Sequence, residues 1–171
     1  MASEHNDLQW RLMEAEDLAS IIAMAAVIHP DFHEDENVFR ERMKLYGKGC
    51  FVLQAASGDL HGYAVTHPWQ FCSMPALNSL LGSLPERPST YYLHDIALMP
   101  EARGSGAAGR IVAIVADRAV QEGLPTMSLV SVNNSVGFWE KQGFESTDLP
   151  ELEAKLRTYS DDARFMVRPL R

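Results

Sequence analysis

The sequence has little cysteine, no long apolar run and no basic leader. Two cysteines, Cys50 and Cys72, occur among 171 residues, and their surroundings resemble neither a disulfide framework nor a metal knuckle. We therefore expect buried free thiols and no metal centre. No apolar stretch approaches the roughly 20 residues that cross a bilayer, and segment 1–7 lacks the basic-then-apolar order of a signal peptide. The sequence predicts a cytoplasmic protein with no membrane partner.

Positive charge is also scarce. Lys and Arg number 15 against 23 Asp and Glu, which gives a formal net charge of −8. Nucleic-acid partners are disfavoured, because phosphate backbones are held by clustered Lys and Arg. The surplus of carboxylates fits a cationic substrate, but it serves solubility equally well. Overall charge does not separate these two interpretations.

The remaining composition is that of an ordinary globular protein. The chain is 46% hydrophobic and 22% charged, with no internal repeat and no low-complexity segment. A chain of 171 residues can bury a sizeable core without disulfides or metals. We therefore expect one domain over residues 1–171, and the sequence is compatible with a homodimer.

Hydrophobic periodicity and the positions of Gly and Pro predict alternating strands and helices. Strands are expected at 8–15, 50–55, 62–67, 91–99, 126–132 and 165–167, and helices at 18–28, 38–46, 111–123, 136–143 and 151–157. Three strands in succession indicate an α/β fold with a mixed central sheet and flanking helices rather than a doubly wound sheet. Segment 68–88 has no clear period, so we expect an insertion over the sheet, placed to cover the substrate pocket.

A loop dense in carboxylates, residues 29–36, joins the first two predicted helices. We expect this loop to be the substrate gate and its charge to favour a cationic acceptor. Its acidic residues are Asp31, Glu34, Asp35 and Glu36. His29 and His33 share a spacing that could suggest a metal, but without further ligands a solvated loop is the better interpretation.

The most informative stretch runs from 91 to 123. An apolar extended segment ends at Pro100, and a glycine-rich helix start follows. Such a turn places unpaired backbone N–H groups beside a helix N-terminus, where the helix dipole attracts an anion such as phosphate. Gly104 and Gly106 lack a Cβ, so phosphate oxygens can approach the main chain closely.

Three interpretations of these glycines compete. Gly104, Gly106 and Gly109 match the dinucleotide fingerprint, but that motif also requires an acidic residue about 20 positions on. The sequence has Met-Ser-Leu-Val at 127–130 instead. A P-loop needs Lys-Ser or Lys-Thr after the glycines, and Arg110 is followed by Ile here. The third interpretation is a loop that merely packs.

Residues 103–108, Arg-Gly-Ser-Gly-Ala-Ala, resemble the pyrophosphate loop of the GCN5-related N-acetyltransferase (GNAT) family. The family pattern is Gln or Arg, two variable residues, Gly, one variable residue, then Gly or Ala. The strand end 96–100 also resembles that of the family, and segment 133–144 is similar to its Asn, small residue, Phe-Tyr-Glu-Lys-x-Gly-Phe landmark. The resemblance covers residues 8–145 and implies a GNAT-like acyl-CoA N-acyltransferase fold.

The resemblance implies a site for acetyl-CoA, the acetyl-donor co-substrate, between two parallel strands that separate at their ends. Backbone amides of 96–98 would take the acetyl carbonyl and the pantetheine arm, and 104–109 would take the pyrophosphate. Asn133 or Asn134 would hydrogen-bond the pantetheine amides, and helix N-capping is an equally good interpretation of both. The implied cofactor-binding residues are Ile96, Ala97, Leu98, Arg103, Gly104, Ser105, Gly106, Ala107, Ala108, Gly109, Asn133, Asn134 and Trp139.

His94 is the candidate general base, because imidazole, with an ordinary pKa of about 6.5, accepts a proton at neutral pH. Its strand position also resembles that of a histidine in the arylalkylamine N-acetyltransferases, three residues before the small residue matched by Ala97. Strand alternation predicts Tyr92, the second catalytic candidate, on the same face as His94 and Asp95 on the opposite face. The competing interpretation of His94 is a histidine hydrogen-bonded within the core.

Trp139 departs from the family pattern. The family usually has a Tyr there, whose phenol protonates the leaving thiolate, whereas indole has an N–H but no accessible acid chemistry. Water, Tyr91, Tyr92 and Ser135 are then the remaining candidates for the acid. The alternative role for Trp139 is packing against neighbouring aromatic residues.

These features predict an acetyl-CoA-dependent N-acetyltransferase. Its acceptor would be a small cationic amine or the lysine or N-terminal amine of a peptide. Acetyl transfer needs a neutral amine, a donor to the developing oxyanion and a proton source for the thiolate. A catalytically silent acyl-CoA sensor would need only the glycine loop, and a structural or interaction protein on the same fold would not bind coenzyme A at all.

Overall fold

A computed structural model describes residues 7–170. The strands are β1 (Gln9–Leu12), β2 (Cys50–Gln54), β3 (Leu60–Trp69), β4 (Thr90–Leu98), β5 (Thr126–Ser131), β6 (Glu145–Ser146) and β7 (Arg164–Pro169). The helices are α1 (Leu18–Ile28), α2 (Glu36–Tyr46), α3 (Ala107–Gln121), α4 (Val136–Lys141) and α5 (Glu153–Tyr159). Every predicted strand and helix is present, and the two-residue β6 is an addition.

The sequence prediction about a signal peptide concerns residues 1–7, of which 1–6 lie outside the described range. Among residues 7–170, no helix combines the length and the apolar character needed to cross a membrane.

The strands form one mixed seven-stranded sheet in the order β1-β2-β3-β4-β5-β7-β6. Of the described strand pairs, β4 and β5 are the one parallel pair, and their register covers only Tyr91–Leu93 opposite Met127–Leu129. Beyond Leu93, β4 continues to Leu98 with β3 as its partner. The two parallel strands therefore separate, and a cleft opens at the carboxyl end of the sheet.

The register of β3 and β4 shifts at the point where the cleft begins. Val65 lies opposite Asp95, while the next residue, Thr66, lies opposite Leu93. His94 is thus the extra residue of a β-bulge, and a bulge resets the alternation of side chains along its strand. The prediction that Asp95 lies on the opposite face from His94 is wrong, because the bulge brings both side chains to one face.

Helices cover both faces of the sheet. On one face, α1 and α2 contribute Ile21 and Phe39 to a core with Tyr63 of β3. On the other, Ile111 of α3 packs against Tyr91 of β4. Burial of each such side chain contributes about 1.5–3 kcal/mol. The β4 strand therefore lies between two cores and is held firmly up to the cleft.

The segment between β3 and β4 begins later than predicted. Pro68 and Trp69 belong to β3 and lie opposite Tyr91 and Thr90, beyond the last residue that pairs β3 with β2. Pro68 is tolerated there because a strand edge needs no amide donor from it. Residues 70–89 then pack over the α1–α2 side, and the amides of Leu81 and Gly82 donate to the Glu41 carboxylate at 2.6 and 3.0 Å.

Candidate active site

The separated ends of β4 and β5 enclose a cleft of about 410 Å³. One wall is β4 from Leu93 to Leu98, and the other is formed by Leu129, Val130 and the residues that follow β5. Arg103, Gly104 and Ala108 lie at one end. The cleft therefore joins the strand end to the glycine-rich helix start, as the sequence predicts.

Two backbone amides of β4 face the cleft. The N–H of Met99, the residue after β4, donates to the His61 carbonyl of β3 at 2.8 Å. Because amide directions alternate along an antiparallel strand, the N–H groups of Ile96 and Leu98 point away from β3 into the cleft. The amide of Ala97 points toward β3, which corrects its predicted role as a donor. The residue lines the cleft, while its side chain is buried in the core with α1.

Gly104 and Gly106 adopt left-handed backbone conformations, which favour glycine over other residues. Gly104 and Gly106 have φ values of +80° and +84°, and Gly106 is the N-cap of α3. A side chain at either position is strained in this left-handed region. The first helical bond of α3 joins the Arg110 N–H to the Gly106 carbonyl at 3.1 Å, so the preceding amides at the helix start lack an intrahelical acceptor.

The rest of the loop is fixed by its own contacts. The Ser105 hydroxyl donates to the Ala102 carbonyl at 2.6 Å and accepts the Ala107 N–H at 3.2 Å. Trp10 of β1 donates its indole N–H to the Ala107 carbonyl at 2.9 Å. The side chain of Ser105 and the amide of Ala107 therefore shape the turn. The exposed Arg103 side chain at the cleft and the amides of Ala108 and Gly109 remain the groups best suited to an anion.

The two asparagines after β5 occupy a left-handed turn, with φ values of 55° and 57° for Asn133 and Asn134. Ser135 is the N-cap of α4, so the N-capping interpretation of the asparagines is wrong. Asn133 lines the cleft. Asn134 is exposed, and its amide donates to Asp162 at 2.9 Å. Asn133 is thus the better placed of the two predicted cofactor contacts.

Trp139 packs as an aromatic core residue at the edge of the cleft. It is 9% exposed, and its ring lies edge-on to Phe138 and Phe144 at centroid distances of 4.9 and 5.5 Å. These contacts favour the packing interpretation. The side chain still lines the cleft, where its bulk shapes the wall.

His94 is hydrogen-bonded to Glu34 of the α1–α2 loop, and both side chains are almost fully buried. Its Nε2 lies 2.7 Å from Oε1 of Glu34, and the side chains are 4% and 7% exposed. Glu34 also accepts the Asn78 N–H at 3.3 Å. His94 lines both the cleft and a neighbouring side cavity of about 50 Å³. It is therefore hydrogen-bonded and at the cleft, so its two predicted interpretations do not exclude each other.

Tyr92 lies in the side cavity beside His94, with 6.3 Å between ring centroids. Burial, with a smaller contribution from the neighbouring Tyr159, raises its pKa well above the usual range. The Tyr159 hydroxyl donates to the Pro75 carbonyl. Tyr92 is thus a poor proton donor at neutral pH. No pattern in the sequence marks Tyr159, which reaches the cavity from α5.

A second histidine–carboxylate pair stands beside the first. Nε2 of His29, the C-cap of α1, lies 2.9 Å from Oδ1 of Asp95, and Tyr63 donates to Oδ2 of Asp95 at 2.7 Å. His29 and Asp95 line both the cleft and the side cavity. The expectation of a solvated loop is therefore wrong for His29, and it holds for His33, which is exposed and paired with Asp35 at 2.7 Å.

The acidic loop does not present a cluster of free charges. Glu34 points inward to His94, Asp35 accepts from His33 and Asn78, and Glu36 pairs with Arg40 at 3.1 Å. Phe32 and Glu34 nevertheless line the side cavity, together with Leu77 of segment 70–89. The loop and the insertion thus contact the cavity. Among the described residues, no group of three or more His, Cys, Asp or Glu side chains is arranged to hold a metal.

A seven-stranded mixed sheet with a parallel pair that separates above a glycine-rich helix start defines an acyl-CoA N-acyltransferase fold. The model of the acetyltransferase (GNAT) family matches residues 11–144. The chain belongs to that family. The sequence matches no curated protein at a meaningful level of similarity.

Solved structures share the fold at low identity. Ard1 from Thermoplasma volcanium is 14% identical with a TM-score of 0.72, over 96% of this chain and 99% of that chain. Naa50 from Arabidopsis thaliana, solved with the bisubstrate analogue CoA-Ac-MVNAL, is 14% identical with a TM-score of 0.68, over 95% and 98%. The GphF GNAT-like decarboxylase, solved with isobutyryl-CoA, is 14% identical with a TM-score of 0.79, over 95% and 100%.

Proposed function

We propose that the protein is an acetyl-CoA-dependent N-acetyltransferase that acts on a primary amine. The observation that carries the proposal is the convergence of three features on one cleft. These are the unpaired amides of Ile96 and Leu98 on β4, the glycine-rich start of α3 and the His94–Glu34 pair.

The cleft suits coenzyme A along its length. Its narrow part between β4 and β5 offers strand amides to an extended arm that carries amide groups, as in β-strand addition. Arg103 and the amides at the start of α3 suit a pyrophosphate. Naa50 and GphF, which share the fold, were solved with coenzyme A derivatives. When bound, acetyl-CoA would supply an acetyl group as an activated thioester.

His94 would accept the proton of the attacking amine. When Glu34 is ionised, it accepts a hydrogen bond from Nε2–H of His94, so Nδ1 carries the lone pair. The carboxylate also stabilises the imidazolium that forms, as in other histidine–carboxylate pairs. The amide of Ile96 or Leu98 would donate to the carbonyl oxygen as negative charge develops there. Backbone donors are effective in this role because they are oriented before the reaction begins.

The side cavity would receive the acceptor amine next to His94. Glu34 and Asp95 supply negative charge, while Phe32, Leu77 and Val130 supply apolar walls. Its volume of about 50 Å³ admits only a small group. The acceptor would therefore insert an amine on a slender stem, either as a small molecule or as the end of a peptide.

Turnover of acetyl-CoA with a panel of small amines and peptides tests the proposal, with the acetylated product identified by mass. The proposal predicts product with at least one primary amine. Stabilisation by acetyl-CoA without any product across the panel would favour the acyl-CoA sensor instead. No stabilisation at all would remove coenzyme A from the cleft.

A matched pair of variants on α3 locates the binding site. Ala108→Glu places a carboxylate at the cleft end without straining a left-handed glycine, and an acidic residue at a helix N-terminus does not destabilise the helix. Ala113→Glu makes the same change at an exposed position further along α3. Acetyl-CoA should raise the melting temperature of Ala113→Glu as in wild type and should lose that effect in Ala108→Glu. Equal gains in both variants would place the pyrophosphate elsewhere.

A further inference from the structure

We propose that His29, held by Asp95, is the general acid that protonates the departing sulfur, and that it takes the role left open by Trp139. The inference rests on the proposed acetyl transfer. It divides the two proton transfers of the reaction between two neighbouring histidine–carboxylate pairs. His94 would receive the proton of the amine, and His29 would supply the proton of the thiol.

The other candidates for the acid are occupied or misplaced. Tyr91 lies on the α3 face, where it shares a hydrogen bond of 2.8 Å with Thr66. Burial raises the pKa of Tyr92 well above its usual range, so its phenol holds its proton. The Ser135 hydroxyl donates to the Val132 carbonyl at 2.6 Å. None of these three hydroxyl groups is a ready source of a proton for the cleft.

His29 differs from these candidates because one of its ring nitrogens has no hydrogen-bond partner among the described residues. It lines the cleft together with Ala97 and Trp139. Because the Asp95 carboxylate occupies Nε2 at 2.9 Å, the ring can exchange a proton with a ligand only through Nδ1. Nδ1 is buried and has no hydrogen-bond partner among the described residues. A buried polar atom without a partner calls for an explanation, and a ligand in the cleft supplies one.

The charges around His29 favour its protonated form. Burial lowers the pKa of the ring, but the hydrogen bond and charge of Asp95, with a further contribution from Glu34, outweigh it and raise the pKa above the ordinary value. His29 is also the C-cap residue of α1, at the helix end where the dipole favours a cation. His94, Tyr92 and Tyr159 are the other titratable groups of the side cavity.

The proton balance of the step is simple. The amine nitrogen forms the bond to the acetyl carbon and gives one proton to Nδ1 of His94, while the bond between carbon and sulfur breaks. Nδ1 of His29 gives its proton to the departing sulfur and becomes neutral. His94 then loses a proton to solvent and His29 regains one, so one amide and one thiol are formed with no net change in the protein.

The pH profile of kcat/KM for the wild-type enzyme, with its best amine from the panel, tests this division. The step needs a protonated His29, whose pKa is raised above the ordinary value, so the rate should fall at high pH as that proton is lost. His29→Gln keeps a hydrogen-bond donor for Asp95 but does not titrate. It should lower kcat by roughly 10²-fold, leave the KM for acetyl-CoA unchanged and lose the alkaline fall. His33→Gln, which removes a histidine from an exposed pair, should match wild type.

Two further measurements keep the test decisive if His29→Gln folds poorly. Asp95→Asn should move the alkaline fall to lower pH, and the His29 ring of wild type, followed by NMR, should titrate at the pH of that fall. Retention of the alkaline fall in His29→Gln, or a ring titration that does not coincide with it, would overturn this inference alone. Absence of turnover in wild type would overturn the proposed function and the inference with it.

Discussion

The two halves of β4 have different surroundings and different tasks. From Tyr91 to Leu93 the strand has β3 on one side and β5 on the other, and these side chains are almost fully buried. From His94 to Leu98 it has β3 alone, and its other edge faces the cleft. The paired half is a structural element, whereas the separated half offers unpaired amides and two histidine–carboxylate pairs to a ligand.

The difference shows how one strand can serve stability and chemistry at once. The paired half fixes the position of the strand through two hydrophobic cores. The separated half is then held in place although half of its backbone groups have no strand partner. The bulge at His94 lies at the boundary and turns both His94 and Asp95 toward the α1–α2 side. We therefore expect substitutions in the two halves to have separable effects, on stability in one and on turnover in the other.

The largest effect is expected in the separated half. His94→Gln should lower kcat/KM by roughly 10²- to 10⁴-fold, the usual contribution of a general base, because glutamine does not accept the amine proton. Steady-state kinetics at neutral pH measure the loss, and the gain in melting temperature with acetyl-CoA should persist. His61→Gln, which removes a surface histidine paired with Glu101 at 3.1 Å, is the control. Turnover near that of wild type in His94→Gln would return the residue to a structural role.

Substitutions that disturb the packing of the paired half should lower stability and leave turnover nearly unchanged. Met127 is fully buried and lies opposite Tyr91, so Met127→Ala should lower the free energy of unfolding by about 2–5 kcal/mol. Urea denaturation measures this change. At a temperature where the variant is folded, kcat should remain within about twofold of wild type, because Met127 does not line the cleft. A large loss of kcat in folded Met127→Ala would mean that the two halves are coupled.

A third histidine, His67 of β3, provides a pH-dependent test of stability at the paired half, because it lies opposite Tyr92. Burial lowers its pKa to about 3, and the unfolded chain, whose histidine has a pKa of about 6.5, binds a proton first on acidification. Wild type should therefore lose about 1.4 kcal/mol of stability per pH unit below pH 6.5 from this group. His67→Phe should remove that contribution, which amounts to about 2 kcal/mol at pH 5. An unchanged difference between variant and wild type at pH 7 and pH 5 would contradict the assignment.

The smallest effect is expected at Trp139, which packs against two aromatic rings at the cleft edge. Trp139→Phe retains most of the apolar bulk, so kcat at saturating acetyl-CoA should stay within about twofold of wild type. Stopped assays of product formation measure it. A collapse of kcat with folding and cofactor affinity intact would give the indole N–H a catalytic role and would weaken the assignment of His29.

The sequence predicts the parts of the site that depend on local chain geometry. Pro100 ends the strand, Gly104 and Gly106 supply the two left-handed residues of the turn, and the apolar period of α3 follows. Each of these signals lies within a few residues of the structure that it determines. The order of strands and helices, and hence the mixed sheet, could be derived in the same way.

The rest depends on contacts between distant parts of the chain. The partners in His94–Glu34 and His29–Asp95 are 60 and 66 residues apart, and no local pattern marks either pair. The bulge is defined by the register with Val65 and Thr66 on β3, so alternation within β4 gave the wrong face for Asp95. His29 did have one usable signal, because it follows the last turn of α1 and precedes Pro30, which fixes its place at a helix end.

Amide hydrogen exchange of wild-type protein, followed by NMR with and without acetyl-CoA, tests the central claim about the two halves most directly. Acetyl-CoA should slow the exchange of the Ile96 and Leu98 amides and of the Ala108 and Gly109 amides, because the ligand becomes their hydrogen-bond partner. The amides of Tyr91–Leu93, already within the sheet, should change little. Unchanged exchange at Ile96 and Leu98 under saturating acetyl-CoA would contradict the assignment of the cleft as the acyl-CoA site.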